Sequence, residues 1–210
     1  MKRFPSRRPS RSGNGVVKLN SNTSTDNRLT HASMLLGYLF DYGVDFQRRV
    51  INLTGEVNGN MFNLVDAALT EMEAGSKSAI TIKINSHGGE IYQAMAIVGR
   101  LRESKCHIVT VGYGAIMSAA TLILACGDRR VASTFSWFMN HEQGYDIGQT
   151  RHSQAKAYVA QADREEKVWC QWMSDFTNKS AQFWLKNGVG VDVYFSAAQL
   201  VELGVVDELI

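Results

Sequence analysis

The hydrophobic and polar positions of this chain follow two alternating periods along most of its length. Short apolar runs bounded by polar or glycine residues are typical of buried strands. They lie at Arg49–Leu53, Ser78–Asn85, Ile108–Val111, Arg130–Ser133, Trp137–Asn140 and Val205–Val206. Between them, apolar residues recur three and four positions apart, which is typical of amphipathic helices. Strands that alternate with helices predict an α/β fold with a mainly parallel sheet.

The helical intervals predict one element that differs from the rest. Helices are expected at Ala32–Phe40, Asn60–Met72, Glu90–Arg102, Ala115–Cys126 and Gln154–Phe176, with a last short one capped at Ser196. The run from Gln154 is the longest, and we expect it to protrude from a small domain. Its Trp-containing stripe predicts either a subunit contact or packing within one chain. The charged interval Asp163–Lys167 is expected to be solvated.

Composition divides the chain into two parts. Residues 1–30 are predicted to be a flexible basic tail, since both prolines lie there and Arg and Ser are frequent. Residues 31–210 are predicted to be one domain with a sizeable core. Of the net charge of +2, residues 1–27 carry +5, which leaves the remainder near −3. That remainder has no basic stripe with interleaved aromatic residues, so a nucleic-acid partner is not expected.

The spacing of the cysteines and the length of the apolar runs limit the cellular compartments in which this protein is expected. Cys106, Cys126 and Cys170 have no metal-ligand or paired spacing, so no metal site is predicted and structural thiols in a reducing, cytoplasmic compartment are expected. The apolar run Ala115–Cys126 is shorter than the roughly 20 residues that span a bilayer, so no membrane span is expected. The N-terminus also lacks the apolar core of a secretory signal.

One serine has an unusual setting for a core residue. Ser118 follows a glycine-containing turn and stands at the predicted helix start, where free backbone N–H groups can bind an oxyanion. Acyl transfer by serine also needs a base and a carboxylate that orients it. His141 at a strand end and Asp192 in a loop are candidates, with His87 competing as the base. The alternative is that Ser118 only caps or packs within a core helix.

Four motifs, taken in order, identify a family resemblance. They are Ile84–Gly89 (INSHGG), Gly114–Ala120 (GAIMSAA), Met139–Gln143 (MNHEQ) and Asp192–Ala197 (DVYFSA). Together they resemble the proteolytic subunit of the Clp protease, the ClpP family. Arg49–Val57 and Gly204–Asp207 resemble its first strand and its ending. The resemblance covers roughly residues 40–210 and implies a ClpP/crotonase-like α/β fold whose long helix is a protruding handle.

The resemblance also implies a role for particular residues in a serine endopeptidase. Ser118 would be the nucleophile, His141 the general base and acid, and Asp192 the residue that orients His141. The amides of Gly88 and Ala119 would form the oxyanion hole. The residues expected to bind substrate are Gly89, Ile91 and Glu142.

The resemblance implies partners as well. Members of the family form two stacked heptameric rings, and an AAA+ unfoldase feeds them unfolded polypeptides. This chain has no Gly-x-x-x-x-Gly-Lys-Ser/Thr loop. ATP is therefore expected to be used by the unfoldase, and no cofactor is expected in this chain.

Departures from the family motifs leave other functions open. His87 replaces a proline, Glu142–Gln143 and Asn140 replace the usual neighbours of the histidine, and Ile116–Met117 replaces two alanines. They indicate a divergent member and suggest a phage origin, with the host cytoplasm as location. The alternatives are a phage prohead-maturation protease, a non-catalytic ring subunit, an acyl-CoA hydratase or isomerase, and a serine–lysine peptidase using Lys83.

Overall fold

The computed structural model describes residues 23–210, with side chains from Thr30 onward. Its strands are β1 Val44–Asp45, β2 Val50–Val57, β3 Ile80–Gly89, β4 Ile108–Met117, β5 Arg129–Ala132, β6 Trp137–Asn140, β7 Val193–Ser196 and β8 Glu208–Leu209. Its helices are α1 Thr23–Tyr42, α2 Gly59–Gly75, α3 Ile91–Arg102, α4 Ala120–Ala125, α5 His152–Phe176, α6 Ala181–Lys186 and α7 Ala197–Glu202. Residues 35–210 form one compact unit, and residues 23–34 belong to another.

The strands form one sheet in the order β1-β2-β3-β4-β5-β8, with β6 paired to β4 and β7 paired to β6. Within residues 23–210, only the β1–β2 and β6–β7 pairs are antiparallel. This confirms the predicted α/β fold with a mainly parallel sheet. Strand β4 changes partner along its length: Val109–Gly112 pair with β5, and Ala115–Met117 pair with β6.

The core lies on one face of the sheet, under helices α2, α3 and α4. Along β3 the side chains of Ile80, Ile82 and Ile84 are buried on this face, as the alternation of a strand requires. Thr81 and Lys83, on the opposite face, are only half-buried. All six residues of α4 are buried, so this short helix is fixed on every side by the core.

Several predicted boundaries are wrong, and each error has a structural reason. The strand expected to end at Asn85 continues through residues 86–89 as part of β3, past a register shift between Ile84 and Ser86. Residues 115–117, expected to be helical, continue β4 because β6 pairs with them. The last strand is Glu208–Leu209 and not Val205–Val206. Helix α6 and strand β7 were not predicted.

Helix starts also differ from the prediction. Helix α2 begins at Gly59, because the side chain of Asn58 accepts hydrogen bonds from the amides of Asn60 and Met61. The capping box of α7 is confirmed, with Gln199 Oε1 accepting from both the amide and the hydroxyl of Ser196. Residues 1–22 of the predicted tail lie outside the described residues, and residues 23–30 are helical within α1.

The two ends of α5 have different environments. Residues 156–161 are exposed, including Tyr158 and Val159, so this part of the helix extends into solvent. Its second half packs against α4 and α6 and buries Cys170 and Met173. The expectation of a protruding long helix is therefore confirmed. The expected solvated interval is wrong at Glu165, which is buried.

Candidate active site

Two adjacent strand ends bring Ser118 and His141 together. Strands β4 and β6 run parallel and pair through Met117 and Met139, so the residues that follow them emerge at the same edge of the sheet. The amide of Ser118 donates to the Met139 carbonyl at 2.9 Å, which joins the two ends. Ser118 Oγ lies 2.7 Å from His141 Nε2, a hydrogen-bond distance.

The backbone of Ser118 is strained. Its φ of 51° lies in the left-handed region, which is uncommon for a residue with a side chain. Such conformations persist where the surroundings hold them, and they cluster at functional sites. Here the bond to Met139 on one side and the buried helix α4 on the other hold it. The predicted helix at Ser118 is therefore a sharp strand-to-helix turn that exposes the hydroxyl.

Gly88 packs directly against this turn. A Cβ at Gly88 would lie 2.6 Å from Ser118 Cβ and 2.7 Å from the Met117 carbonyl oxygen. Only glycine fits at that separation, and its φ of 97° also favours glycine. Gly88 thus allows β3 to approach the serine.

The two glycines at the end of β3 differ in their contacts. The Gly88 amide donates to Ser86 Oγ at 3.1 Å, and the Glu90 amide donates to the Val57 carbonyl at 2.8 Å on β2. Gly89, and not Gly88, lines the cleft at Ser118. The expected oxyanion donor Gly88 is therefore engaged elsewhere, and Gly89 is the alternative glycine at the cleft.

Asp192 lies near His141 but does not bond to it. The β6–β7 ladder ends at Asn140 opposite Val193, which puts Asp192 across from His141 at the next position. The carboxylate is exposed, and the hydrogen bonds of residues 30–210 include none between Asp192 and His141. The preceding loop is attached to this region, since Asn140 Nδ2 donates to the Asn187 carbonyl at 2.8 Å and the Glu142 amide donates to the Gly188 carbonyl at 2.9 Å.

A cleft of about 480 Å³ opens beside the Ser118–His141 pair. The expected substrate-binding residues Gly89, Ile91 and Glu142 all line it. The structure adds residues that the sequence did not single out for this role. They are His87, Glu90, Gln143, Glu166 and Trp169, with Glu166 and Trp169 supplied by α5.

A buried carboxylate under the cleft connects three elements. Glu165 on α5 accepts hydrogen bonds from Tyr92 Oη of α3, from Gln161 Nε2 at 2.7 Å and from Gln143 Nε2 at 3.4 Å. The bond from Tyr92 is the main reason that the pKa of Glu165 lies below its ordinary value. Glu165 therefore ties α5 to the segment after His141. A glutamate within a charged run gives no sequence signal for this role.

Among the described residues, the thiols and the other titratable groups form no metal-binding or reactive-thiol site. Cys106, Cys126 and Cys170 are buried and free, and burial raises the pKa of Cys126 to about 12 and that of Cys170 to about 11. The thiols of Cys126 and Cys170 therefore stay protonated at neutral pH. In the described part of the chain, no three His, Cys, Asp or Glu side chains are grouped so that they could hold a metal ion. No described helix is long and apolar enough to cross a membrane.

The known proteins to which this chain is similar agree in the family that their names give. Three relatives are named as ATP-dependent Clp protease proteolytic subunits. The protein from Carsonella ruddii is 25% identical over 80% of this chain and 87% of its own length. Subunit 1 of Rhodococcus jostii is 27% identical over 80% of this chain and 78% of its own. Subunit 3 of a Synechococcus strain is 27% identical over 77% of this chain and 82% of its own.

The family profile itself extends across most of the chain. It is the profile described as Clp protease, and it matches residues 40–210, which include Ser118, His141 and Asp192. It begins within α1 and runs to the C-terminal residue, so it spans the whole sheet. The chain therefore belongs to the Clp protease family.

Proposed function

We propose that this chain is a serine endopeptidase that hydrolyses unfolded polypeptides, with Ser118 as its nucleophile. The observation that carries the proposal is the 2.7 Å contact between Ser118 Oγ and His141 Nε2 at the mouth of a cleft. A nucleophile within hydrogen-bond reach of a base is the arrangement that acyl transfer needs. It favours a catalytic subunit over a non-catalytic one.

The proposed mechanism assigns one step to each group. Ser118 Oγ attacks the scissile carbonyl while His141 Nε2 accepts its proton and then gives it to the leaving amine. Asp192, across from His141 in the β6–β7 register, would orient the imidazole once its side chain turns inward. The amides of Ala119 and Gly89 would bind the developing oxyanion, with Gly89 taking the place expected of Gly88.

The surface supports assembly into a larger particle. Phe135, Trp137 and Tyr194 are exposed large apolar side chains around a groove of about 440 Å³. The first half of α5 adds the exposed side chains of Tyr158 and Val159. Contiguous apolar surface of this kind is typical of subunit contacts. We propose that copies of this chain form stacked rings through these surfaces, with the site enclosed.

The likeness to relatives whose names specify an ATP-dependent protease supports a partner that supplies the energy. An AAA+ partner would unfold the substrate and use the ATP, while this chain would need no cofactor for hydrolysis. A cytoplasmic location agrees with three buried, unpaired thiols, which suit a reducing compartment.

Labelling with a fluorophosphonate, followed by peptide mapping, tests the nucleophile. The adduct is expected on Ser118 of the assembled protein and absent from Ser118→Ala at equal oligomeric state. Labelling is done separately on assembled and unassembled fractions, because we expect the exposed side chain of Asp192 to turn toward His141 only on assembly. An assembled protein that takes no label at Ser118 would refute the proposal.

A further inference from the structure

The cleft at Ser118 carries negative charge on three sides. Glu90 follows the glycine pair, Glu142 follows His141 and Glu166 projects from α5, and all three line the cleft. The lining contains no lysine or arginine. Its only other ionisable side chains are the imidazoles of His87 and His141.

The three carboxylates differ in burial and not in pairing. Over residues 30–210, the side chains of Glu90, Glu142 and Glu166 take part in no ion pair or hydrogen bond, and Glu142 and Glu166 are half-buried whereas Glu90 is exposed. Burial, followed by the charges of Glu142 and Asp163, raises the pKa of Glu166 above its ordinary value. The carboxylates of Glu142 and Glu166 therefore repel each other.

The neighbouring Glu165 provides the contrast. It is more buried than Glu166, yet three side-chain donors satisfy it and its pKa is lowered. The same helix therefore carries one carboxylate that the fold stabilises and one that the fold disfavours. A half-buried, unpaired charge in a cleft indicates a ligand of the opposite sign.

We propose that Glu142 and Glu166 bind the side chain of a substrate lysine or arginine beside the scissile bond. Glu142 is adjacent in sequence to His141, so a side chain held there belongs to a residue close to the bond that is cut. The aromatic ring of Trp169, one turn after Glu166, supplies a wall for the aliphatic part of such a side chain. This inference rests on the proposed peptidase function and adds a substrate class to it.

The test compares matched peptides on the assembled full-length protein. Two fluorogenic peptides differ only in lysine or norleucine next to the scissile bond, with both flanking positions tried. We expect kcat/KM to favour lysine by about tenfold or more, the effect of a charge-assisted contact. The preference should fall in about 0.5 M salt, since the contact is electrostatic and only partly buried.

Variants identify the groups responsible. In the double variant Glu142→Gln/Glu166→Gln, the ratio of kcat/KM for the lysine peptide to that for the norleucine peptide should fall to about one, and Glu166→Lys should favour a glutamate peptide. Asp175→Asn removes a charge from the exposed surface of the same helix and should change neither rate.

Three results are informative. A preference that disappears in the double variant supports the inference. Equal rates on both peptides, with Ser118 labelled, overturn it and leave the peptidase proposal standing. Failure of Ser118 to label in the assembled protein overturns both.

Discussion

The two sides of the candidate site are built in different ways. The serine side, formed by Ser118, His141 and Gly88, stands on the ends of paired parallel strands and on the buried helix α4. The aspartate side is the loop of residues 187–192, which is attached by two hydrogen bonds near its start and leaves Asp192 exposed. The serine side is already aligned within one chain, whereas the aspartate side is not.

This difference indicates where control of activity can act. A nucleophile and base held by the core cannot be misaligned without disturbing the sheet. An exposed carboxylate at the end of a loop needs only a rotation about its side-chain bonds to turn toward His141. A neighbouring copy can select that rotamer. Assembly would then regulate the orientation of His141 and not the position of Ser118.

The largest expected effect is on the serine side. Ser118→Ala should lower peptide turnover by about 10⁶-fold, as removal of a triad nucleophile does in other serine peptidases. Turnover of a fluorogenic peptide by the assembled fraction is the measurement, with size-exclusion chromatography as the check on assembly. Substantial hydrolysis by the variant would show that the serine side is not the chemical centre.

The aspartate side should give the next largest effect. Asp192→Asn is expected to lower turnover of the assembled protein by about 10⁴-fold, because His141 would lose its orienting carboxylate. Glu202→Gln removes an exposed carboxylate from α7 and serves as control. Unchanged turnover in the assembled Asp192 variant would mean that another group orients His141.

A smaller loss of turnover is expected from a substitution at Gly88, where β3 packs against Ser118. Gly88→Ala should reduce turnover by about 10²-fold, the cost of displacing a catalytic group by an ångström. Gly55→Ala is the matched control, since Gly55 has a similar φ of 87° but no atom within 4 Å of an added Cβ. Equal losses in both variants would attribute the effect to backbone strain and not to contact with Ser118.

Substitution of Ser86 tests how strongly the fold stabilises the serine side. Its buried hydroxyl donates to the Gly55 carbonyl at 2.6 Å and accepts from the Gly88 amide. Ser86→Ala should lower the free energy of unfolding by about 1–3 kcal/mol, because both partners lose a bond. Urea titration measures this, with exposed Ser78→Ala as control; equal stability of the two variants would contradict the role of Ser86.

The smallest expected effect is on stability and depends on pH. The pKa of Glu166 is raised above its ordinary value of 4.5, so the folded state binds more protons than the unfolded state between these two values. Wild-type stability therefore falls as pH rises through that interval. Glu166→Gln should melt slightly higher than wild type at pH 7, with the difference vanishing below pH 4.5. Thermal melts at a series of pH values measure it, and a lower melting temperature for the variant at pH 7 would show that the fold stabilises this carboxylate.

Much of the fold could be predicted from local patterns. The isoleucines of β3 and the capping box at Ser196 carry their signals within a few residues, and the structure has both. The end of β4 carries no such signal. Residues 115–117 are apolar like the helix that follows, and pairing with β6 and, at Ile116, with β3 makes them a strand.

The candidate site could be predicted only in part, because some of its features depend on contacts between segments that are distant in sequence. Order and motif indicate Ser118, His141 and Asp192, but the contacts of a backbone amide depend on how the strands pair. Gly88 and Gly89 are therefore equivalent in sequence and different in the fold. Glu165 and Glu166 are likewise adjacent in sequence, and the hydrogen bonds that Tyr92, Gln161 and Gln143 donate to Glu165 separate a buried, satisfied carboxylate from one in the cleft.

The change of partner along β4 has a consequence for exchange with solvent. Residues 109–112 pair with β3 on one side and β5 on the other, and Ile116 pairs with β3 and β6, so these positions open only when ladders on both edges break. Amides at these positions should therefore exchange with deuterium only through global unfolding, as the slowest in the chain. The strand that carries the nucleophile would stay closed through every partial opening that lets a substrate in or a product out.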